Sequence, residues 1–525
     1  MTRGTAPPGV RAAEVLAALS LVTDLARGHP PEEAMRACLL AVHLGHRLGL
    51  HESDLVDAYY ATLLRFVGCT ATSTAYAAGF VGDDVDVRRA GDLMDPTVPG
   101  EALGFLWTLS RRTGVTRPVQ FARMLAHAPT LAREGAAADC EVGSRLVARF
   151  GFAPALQMAL LHSFERWDGH GAPQGVKGEA IPLASRLATL GFAAVMFDAL
   201  AGPTAAVHTV RRWSGRIIDP SLAQVFLRAP DEHLDAASPD DAWEAVVAVE
   251  PGQPRLAGDA TLEAIARGFA DVADLKSRFL VGHSSGVAKL AELTGRQLGL
   301  DEPQIKTLRW AGLLHDIGRV GIATGVWDKP ARLTRADWEE VRLHPYHTQR
   351  ILSRVPALTD VARVAAQHHE RLTGGGYPAG LEARSLDVLP RVLAAADVFH
   401  ALQEDRPHRP ALSAANAAAT LRDLSGAAGE LDPNACAAVL AAAGQPPVRR
   451  RQYPAGLTER EVQVLQLLAR GSTEREIAER LVISAGTTHT HVVHIYEKAG
   501  VSTRAGVTLF ALEHDLIARL IQMPA

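Results

Sequence analysis

Cysteine is scarce in this chain and scattered. The four cysteines in 525 residues, Cys38, Cys69, Cys140 and Cys436, form no CxxC pair. That excludes a disulfide framework and a thiolate zinc finger, and it fits a reducing compartment. No run of about 18 uninterrupted apolar residues occurs, and the opening MTRGTAPPGVRAAEVL has no signal-peptide core. A soluble, cytoplasmic protein with no membrane partner is expected. Neither sign of charge dominates, since 54 Lys+Arg face 58 Asp+Glu for a net charge of −4. Without a global basic field, contact with nucleic acid has to come from a local patch. Alternating strand patterns are nearly absent, which argues against sheet architectures.

What the chain does have is Ala- and Leu-rich sequence with apolar residues at i, i+3 and i+4 almost end to end. This is the period of amphipathic helices, and the fold class expected is all-α. At 47% hydrophobic and 21% charged, the chain is long enough for three or more domains with separate cores. Pro- and Gly-rich breaks at 229–256 and at 444–456 (GQPPVRRRQYPAG) read as linkers. They leave units at 1–228, 257–443 and 457–525.

The first two units repeat one another. AVHLGHRLGL ending at Leu50 matches AELTGRQLGL ending at Leu300, and ATLLRFVG at 61–68 lies under AGLLHDIG at 311–318 with the same offset of 250. Further on, FERWDGHGAPQGVKGEAIPLASRL (164–187) matches HERLTGGGYPAGLEARSLDVLPRV (369–392) with an offset of 205. Matches of this length in this order imply a duplication.

The second copy concentrates imidazoles and carboxylates: His283, the pair His315-Asp316, His344, the pair His368-His369, and Asp397. Nitrogen and oxygen donors together favour iron, manganese or zinc over magnesium. Adjacent residues on a helix diverge by about 100°, so each doublet can address two ions, or one ion and its solvent. The set supplies about what a two-metal site with open positions needs.

LLHDIGRVGI, RLHPYHTQRIL, HHERLTGGGYPAGL and AAADVFHAL resemble the HD-GYP family of HD-superfamily phosphohydrolases, over about residues 260–420. The resemblance implies a helical bundle around two divalent transition-metal ions, iron or manganese, and hydrolysis of a cyclic dinucleotide such as cyclic di-GMP. It places His283, His315, Asp316, His344, His368, His369 and Asp397 at the metal positions, with Asp316 bridging and acting catalytically. Some members add a glutamate one turn before the first histidine for a third ion; Phe279 stands there, so two ions are expected. Substrate contacts fall to Gly376, Tyr377, Pro378, Arg406 and Arg409. Arg319 stands where the family usually has a catalytic lysine, and His400 where it has an aspartate. Guanidinium still stabilises negative charge but donates a proton poorly.

In the first copy the corresponding positions hold Glu33, Arg65, Phe66, Ser163, Phe164 and Phe192, which leaves no metal set. Binding a ligand, pairing with the intact copy and bracing it stay open as its roles, with bracing or sensing favoured.

Residues 457–517 divide into four short helices, with Thr458/Glu461 and Thr473/Glu476 capping boxes, Gly471 ending the first helix and Ser484 starting the third. On that third helix Thr488, Val492, Ile495 and Ala499 share a core face. LTxRE, ARG, EIAxxL, TxxxH and VSTRA resemble the LuxR-type helix-turn-helix family, whose third helix enters the major groove. The resemblance assigns double-stranded promoter DNA to Arg475, Arg480, Thr487, His489, Thr490, Val493, His494, Lys498 and Arg504. From 448 to 525 ten Lys/Arg stand against eight Asp/Glu, a mild excess that makes a homodimer the expected binding form. The combined expectation is a bacterial transcription regulator whose metal-dependent unit senses or hydrolyses a cyclic dinucleotide. A phosphodiesterase merely tethered to DNA, and a regulator whose metal site no longer turns over, stay open beside it.

Overall fold

A computed structural model of the chain describes residues 9–80, 83–110, 117–426, 428–444, 453–481 and 483–517. Among them there are helices and isolated bridges but no strand. The all-α expectation holds. The chain divides into two compact units, one mainly up to Ile265 and the other mainly from Ala266 onward.

In the first unit the helices Ala12–Ala26, Glu33–Arg47, Glu52–Leu63 and Leu183–Ala201 enclose a core of fully buried side chains such as Leu16, Met35, Leu40, Leu44 and Leu63. Leu183–Ala201 is 19 residues long and apolar enough to cross a membrane, yet most of it is buried within the protein. The stretch 229–256, expected to be a linker, instead folds onto this unit. Pro230 starts one short helix, Pro230–Ala236, and Asp241 caps another, Ala242–Ala248, by accepting from Trp243 and Glu244 N–H. Tyr59 Oη then donates to Val246 O at 3.0 Å and Tyr60 Oη to Glu250 at 2.6 Å. Two buried hydroxyls need acceptors, and this segment provides them.

In the second unit His283–Gln297, Glu302–Leu314, Val388–Leu402 and Pro433–Ala443 form the central bundle. Glycine sets the closest approach: a Cβ on Gly312 would lie 2.5 Å from Ala288 Cα. The four C-terminal helices are Glu459–Ala469, Glu474–Leu481, Ala485–Ala499 and Arg504–Glu513. Thr458 and Glu461 close a capping box, and Ser484 caps Ala485–Ala499 through Thr487 N–H. Caps of this kind contribute about 1 kcal/mol each. Thr488, Val492, Ile495 and Ala499 are the buried residues of Ala485–Ala499. The core of this small bundle includes Leu465, Ile477, Val507 and Phe510, and it takes in Val281 from the segment leading to His283. Of the expected linker 444–456, residues 445–452 lie outside the described residues.

The two units share one frame. Glu33–Arg47 corresponds to His283–Gln297, each entered through a residue with left-handed backbone, Glu32 at φ 77° and Gly282 at φ 85°. Asp24 accepts from Ala34 N–H at 3.2 Å, and Asp274 from Ser284 N–H at 3.0 Å. Glu165 accepts from Gln174 and Gly175 N–H, and Glu370 from Ala379 and Leu381 N–H.

Candidate metal centre

Each of the five imidazoles expected at the metal sits where an element begins or ends. His283 opens His283–Gln297, His315 closes Glu302–Leu314, and His344 opens the helix His344–Leu352. His368 and His369 follow Thr359–Ala366, and Asp397 lies within Val388–Leu402. Gly318, in the turn after Asp316, is a contact point: a Cβ there would stand 2.1 Å from His344 O. Without it the His315-Asp316 turn could not close on His344.

The ring orientations are fixed from behind. His315 Nδ1 meets Gly312 O at 2.8 Å, His344 Nδ1 meets Val341 O at 2.6 Å, and His368 Nδ1 meets Ala365 O at 2.6 Å. A carbonyl can only accept, so each Nδ1 carries the proton and each Nε2 presents a lone pair. His283 Nδ1 meets a carboxylate instead, Glu404 Oε2 at 2.9 Å.

These Nε2 atoms converge on Asp316 in two sets. Asp316 Oδ2 is 3.0 Å from His315 Nε2 and 3.5 Å from His283 Nε2, and His283 Nε2 is 3.2 Å from Asp397 Oδ1. Asp316 Oδ1 is 3.4 Å from His344 Nε2 and 3.5 Å from His368 Nε2. His369 adds a third imidazole to that second set, its ring centroid 4.0 Å from His368. Donors about 2.1 Å from one ion stand about 3 to 3.5 Å from each other. Both sets have that spacing. Moreover, His283 Nε2, His315 Nε2 and both Asp316 oxygens are buried without a hydrogen-bond partner. Left so, they would be costly, and the donor set fits a metal site.

The charges agree with this. Burial pushes Asp316 up, but Arg319 and His315 outweigh it and hold the carboxyl well below its usual range. Burial lowers His344 to about 4 and also lowers His368 and His369, so all three are neutral near pH 7, the form that ligates. His283 differs: burial would lower it, but Glu404 and then Asp397 raise it to about 10, so without an ion its ring is protonated near pH 7 and an ion would have to displace the Nε2 proton.

Arg319, expected as catalytic, is buried with Nε 2.8 Å from Asp316 Oδ1. The approach lies outside hydrogen-bond geometry, since neither atom has such a partner, so the contact is electrostatic. Its guanidinium lies 4.8 Å over the Trp327 ring, and Trp327 stands edge-on to His344 at 5.7 Å. Tyr377 reaches the centre with its ring 4.6 Å from His369. Pro378 follows it in the same loop, held by Glu370. Gly376 shapes that loop: a Cβ there would fall 2.4 Å from Arg371 N. Arg409 is also spent on structure, donating to the carbonyls of Ala401, Leu402, Glu404 and Pro410. Arg406 pairs with Glu404 at 2.7 Å. Glu404 and Trp327 were not anticipated from the sequence, because neither lies in a recognisable motif.

In the first unit the equivalent space is filled. Arg27 lies 3.4 Å over the Phe66 ring, Phe66 meets Phe192 at 4.8 Å and Phe164 at 5.9 Å, and Glu33 is tied to His29 at 2.8 Å. A guanidinium and three phenyl rings stand where the second unit gathers its donors.

Of the residues expected at DNA, Arg475, Thr487, His489, Thr490, Val493 and His494 are exposed. Arg480 is exposed too, 3.8 Å from Asp405. Lys498 and Arg504 are otherwise engaged. Lys498 Nζ pairs with Glu461 at 2.8 Å, because that capping carboxylate is nearby and buried. Arg504 donates to Leu468 O and Ser472 O, tying the ends of two helices together.

Comparison with known proteins agrees with these features. The HD-domain family model matches residues 267–434, and the model for bacterial regulatory proteins of the luxR family matches 455–511. The 3'3'-cGAMP-specific phosphodiesterase 3 of Vibrio cholerae is 30% identical over 446 residues, 84% of this chain and 96% of the relative. A crystal structure of that V. cholerae enzyme, V-cGAP3, superposes with TM-score 0.59 at 28% identity, covering 84% of this chain and 99% of the other. A cyclic di-GMP phosphodiesterase of Pseudomonas aeruginosa is 37% identical over 169 residues, 32% of this chain and 40% of the relative. The chain therefore belongs to the HD-GYP-type family of HD-domain phosphodiesterases, and it carries in addition a C-terminal domain of the luxR family.

Proposed function

We propose that this protein is a metal-dependent phosphodiesterase that opens a cyclic purine dinucleotide, and that its luxR-family domain, as a dimer, brings that activity or its ligand state to promoter DNA in a bacterial cytoplasm. The observation that carries the reading is the division of Asp316, one oxygen toward His283 and His315, the other toward His344 and His368. On this reading His283, His315, Asp316 and Asp397 hold one ion, and Asp316, His344, His368 and His369 a second, iron or manganese by the donor chemistry. Ions held there would acidify a water and neutralise charge on the phosphodiester. The protein's own groups do the rest. The backbone carbonyls keep the imidazoles in one tautomer and one direction. Arg319 supplies a fixed positive charge beside the reacting phosphate but no ready proton, which favours slow turnover. Tyr377 offers an aromatic wall on which a purine can stack. The named relatives act on 3'3'-cGAMP or cyclic di-GMP, so the substrate class is the 3',5'-linked cyclic dinucleotides.

Metal analysis tests the centre. The purified chain should hold about two transition-metal ions at Asp316, and the double variant His315→Ala, Asp316→Ala should lose them. Unchanged content in that variant would remove the reading.

A further inference from the structure

His400 is 3% exposed, and neither of its ring nitrogens has a hydrogen-bond partner. The neighbouring helix makes room for it by omitting a side chain: a Cβ on Gly286 would lie 1.9 Å from His400 Nε2. His400 Nδ1 stands 3.1 Å from Glu404 Oε1, an ion-pair distance with an approach outside hydrogen-bond geometry. The other oxygen of Glu404 is occupied, accepting from His283 Nδ1 at 2.9 Å and from Arg406 Nη2 at 2.7 Å. Oε1 is thereby turned toward His400. Both residues line a cavity of about 360 Å³, together with Phe279, Asp405, Arg470 and Arg480. Donor atoms of His400, Glu404 and His283 lie within 4.8 Å of one another.

We propose that His400 and Glu404 bind a divalent transition-metal cation of their own, open to the cavity and distinct from the pair at Asp316. An imidazole nitrogen and a carboxylate oxygen about 3 Å apart match the bite of two donors on one ion of this class, and solvent from the cavity completes the coordination. The site lies at the Nδ1 edge of His283, whereas the paired centre lies at its Nε2 edge. His283 Nδ1–H acts here by holding Glu404 in position. Arg406 neutralises part of the carboxylate, and only two protein donors are supplied. The ion is therefore held more weakly than the pair.

The test is a Co²⁺ titration of the full-length, chelator-stripped chain, read by visible absorption and by metal content after gel filtration. The wild type should take up one equivalent, in a separate and weaker phase, that His400→Gln lacks. His400→Asp, which returns a donor, should restore it in part. Gly286→Ala provides a second route, since it expels the ring while keeping both ligands in the sequence. The double variant His315→Ala, Asp316→Ala should keep the weak equivalent while losing the tight ones. Equal uptake by wild type, His400→Gln and Gly286→Ala overturns the proposal and leaves the paired centre standing. Loss of the weak phase alone supports it even if the paired centre proves different from the reading above.

Discussion

Asp316 carries more of the site's logic than any other side chain, because its two oxygens face different groups of imidazoles. Its low proton affinity depends on Arg319 more than on any other neighbour, against the effect of burial. Arg319 is in turn held by stacking on Trp327. A lysine can supply the same charge and a transferable proton. Arg319→Lys should therefore keep or raise kcat for cyclic dinucleotide hydrolysis, and Arg319→Ala should lower it by about 100-fold, as loss of a preorganised charge does. Steady-state kinetics on both variants checks this; an unchanged rate in Arg319→Ala would remove Arg319 from the reaction. Six of the seven expected donors were legible inside recognisable segments, His315-Asp316 and His368-His369 as doublets and His344 and Asp397 as single residues, and the family resemblance added His283. Glu404, Trp327 and Arg27 were not, since only the tertiary fold brings each of them to its place.

Among the elements, the repeated helix that begins at Glu33 or His283 is the constant. In both copies an aspartate from the preceding helix, Asp24 or Asp274, accepts from the N–H of its second residue. Burial raises both carboxyls to about 8. Asp24 thus keeps its proton in the folded chain at pH values where the unfolded chain, near 3.8, has lost it. Its contribution to stability falls as pH rises from about 4 to about 8, because the folded state binds more protons there. Asp24→Asn keeps the acceptor for Ala34 and cannot ionise. Thermal unfolding should show the variant melting above the wild type at pH 8 and level with it near pH 4; equal melting at both would contradict the account. Element boundaries set by capping residues, such as Thr458 and Ser484, could be read from the sequence because the cap is local chemistry. The two helices within 229–256 could not, because segments of seven residues carry too little apolar periodicity, and the second is held by Tyr59 from elsewhere.

At the scale of the molecule, adjacent residues join the candidate metal centre to the luxR-family domain. Val281 belongs to the core of the luxR-family domain, and a Cβ on Gly282 would lie 2.9 Å from Ile517 Cγ2, while the next residue is His283. On the proposed function, a change at the metal centre acts on the seat of the DNA-binding helices. Paired modules of this type need their recognition helices about 34–36 Å apart on DNA, so a small change of seating alters dimer binding. Saturating metal or cyclic dinucleotide should change operator affinity at least about fivefold, which corresponds to about 1 kcal/mol of coupling. Fluorescence anisotropy with and without ligand, at several salt concentrations, measures it, and equal affinities would leave a tethered enzyme. Turnover itself reads out the chemistry proposed at Asp316. Anaerobically purified protein loaded with Fe²⁺ or Mn²⁺ is incubated with 3'3'-cGAMP and with cyclic di-GMP, and the products are separated by chromatography. The account predicts linear dinucleotide from at least one of them, and none from the His368→Ala variant. No product from either substrate with the fully loaded wild type, or equal product from His368→Ala, would contradict it.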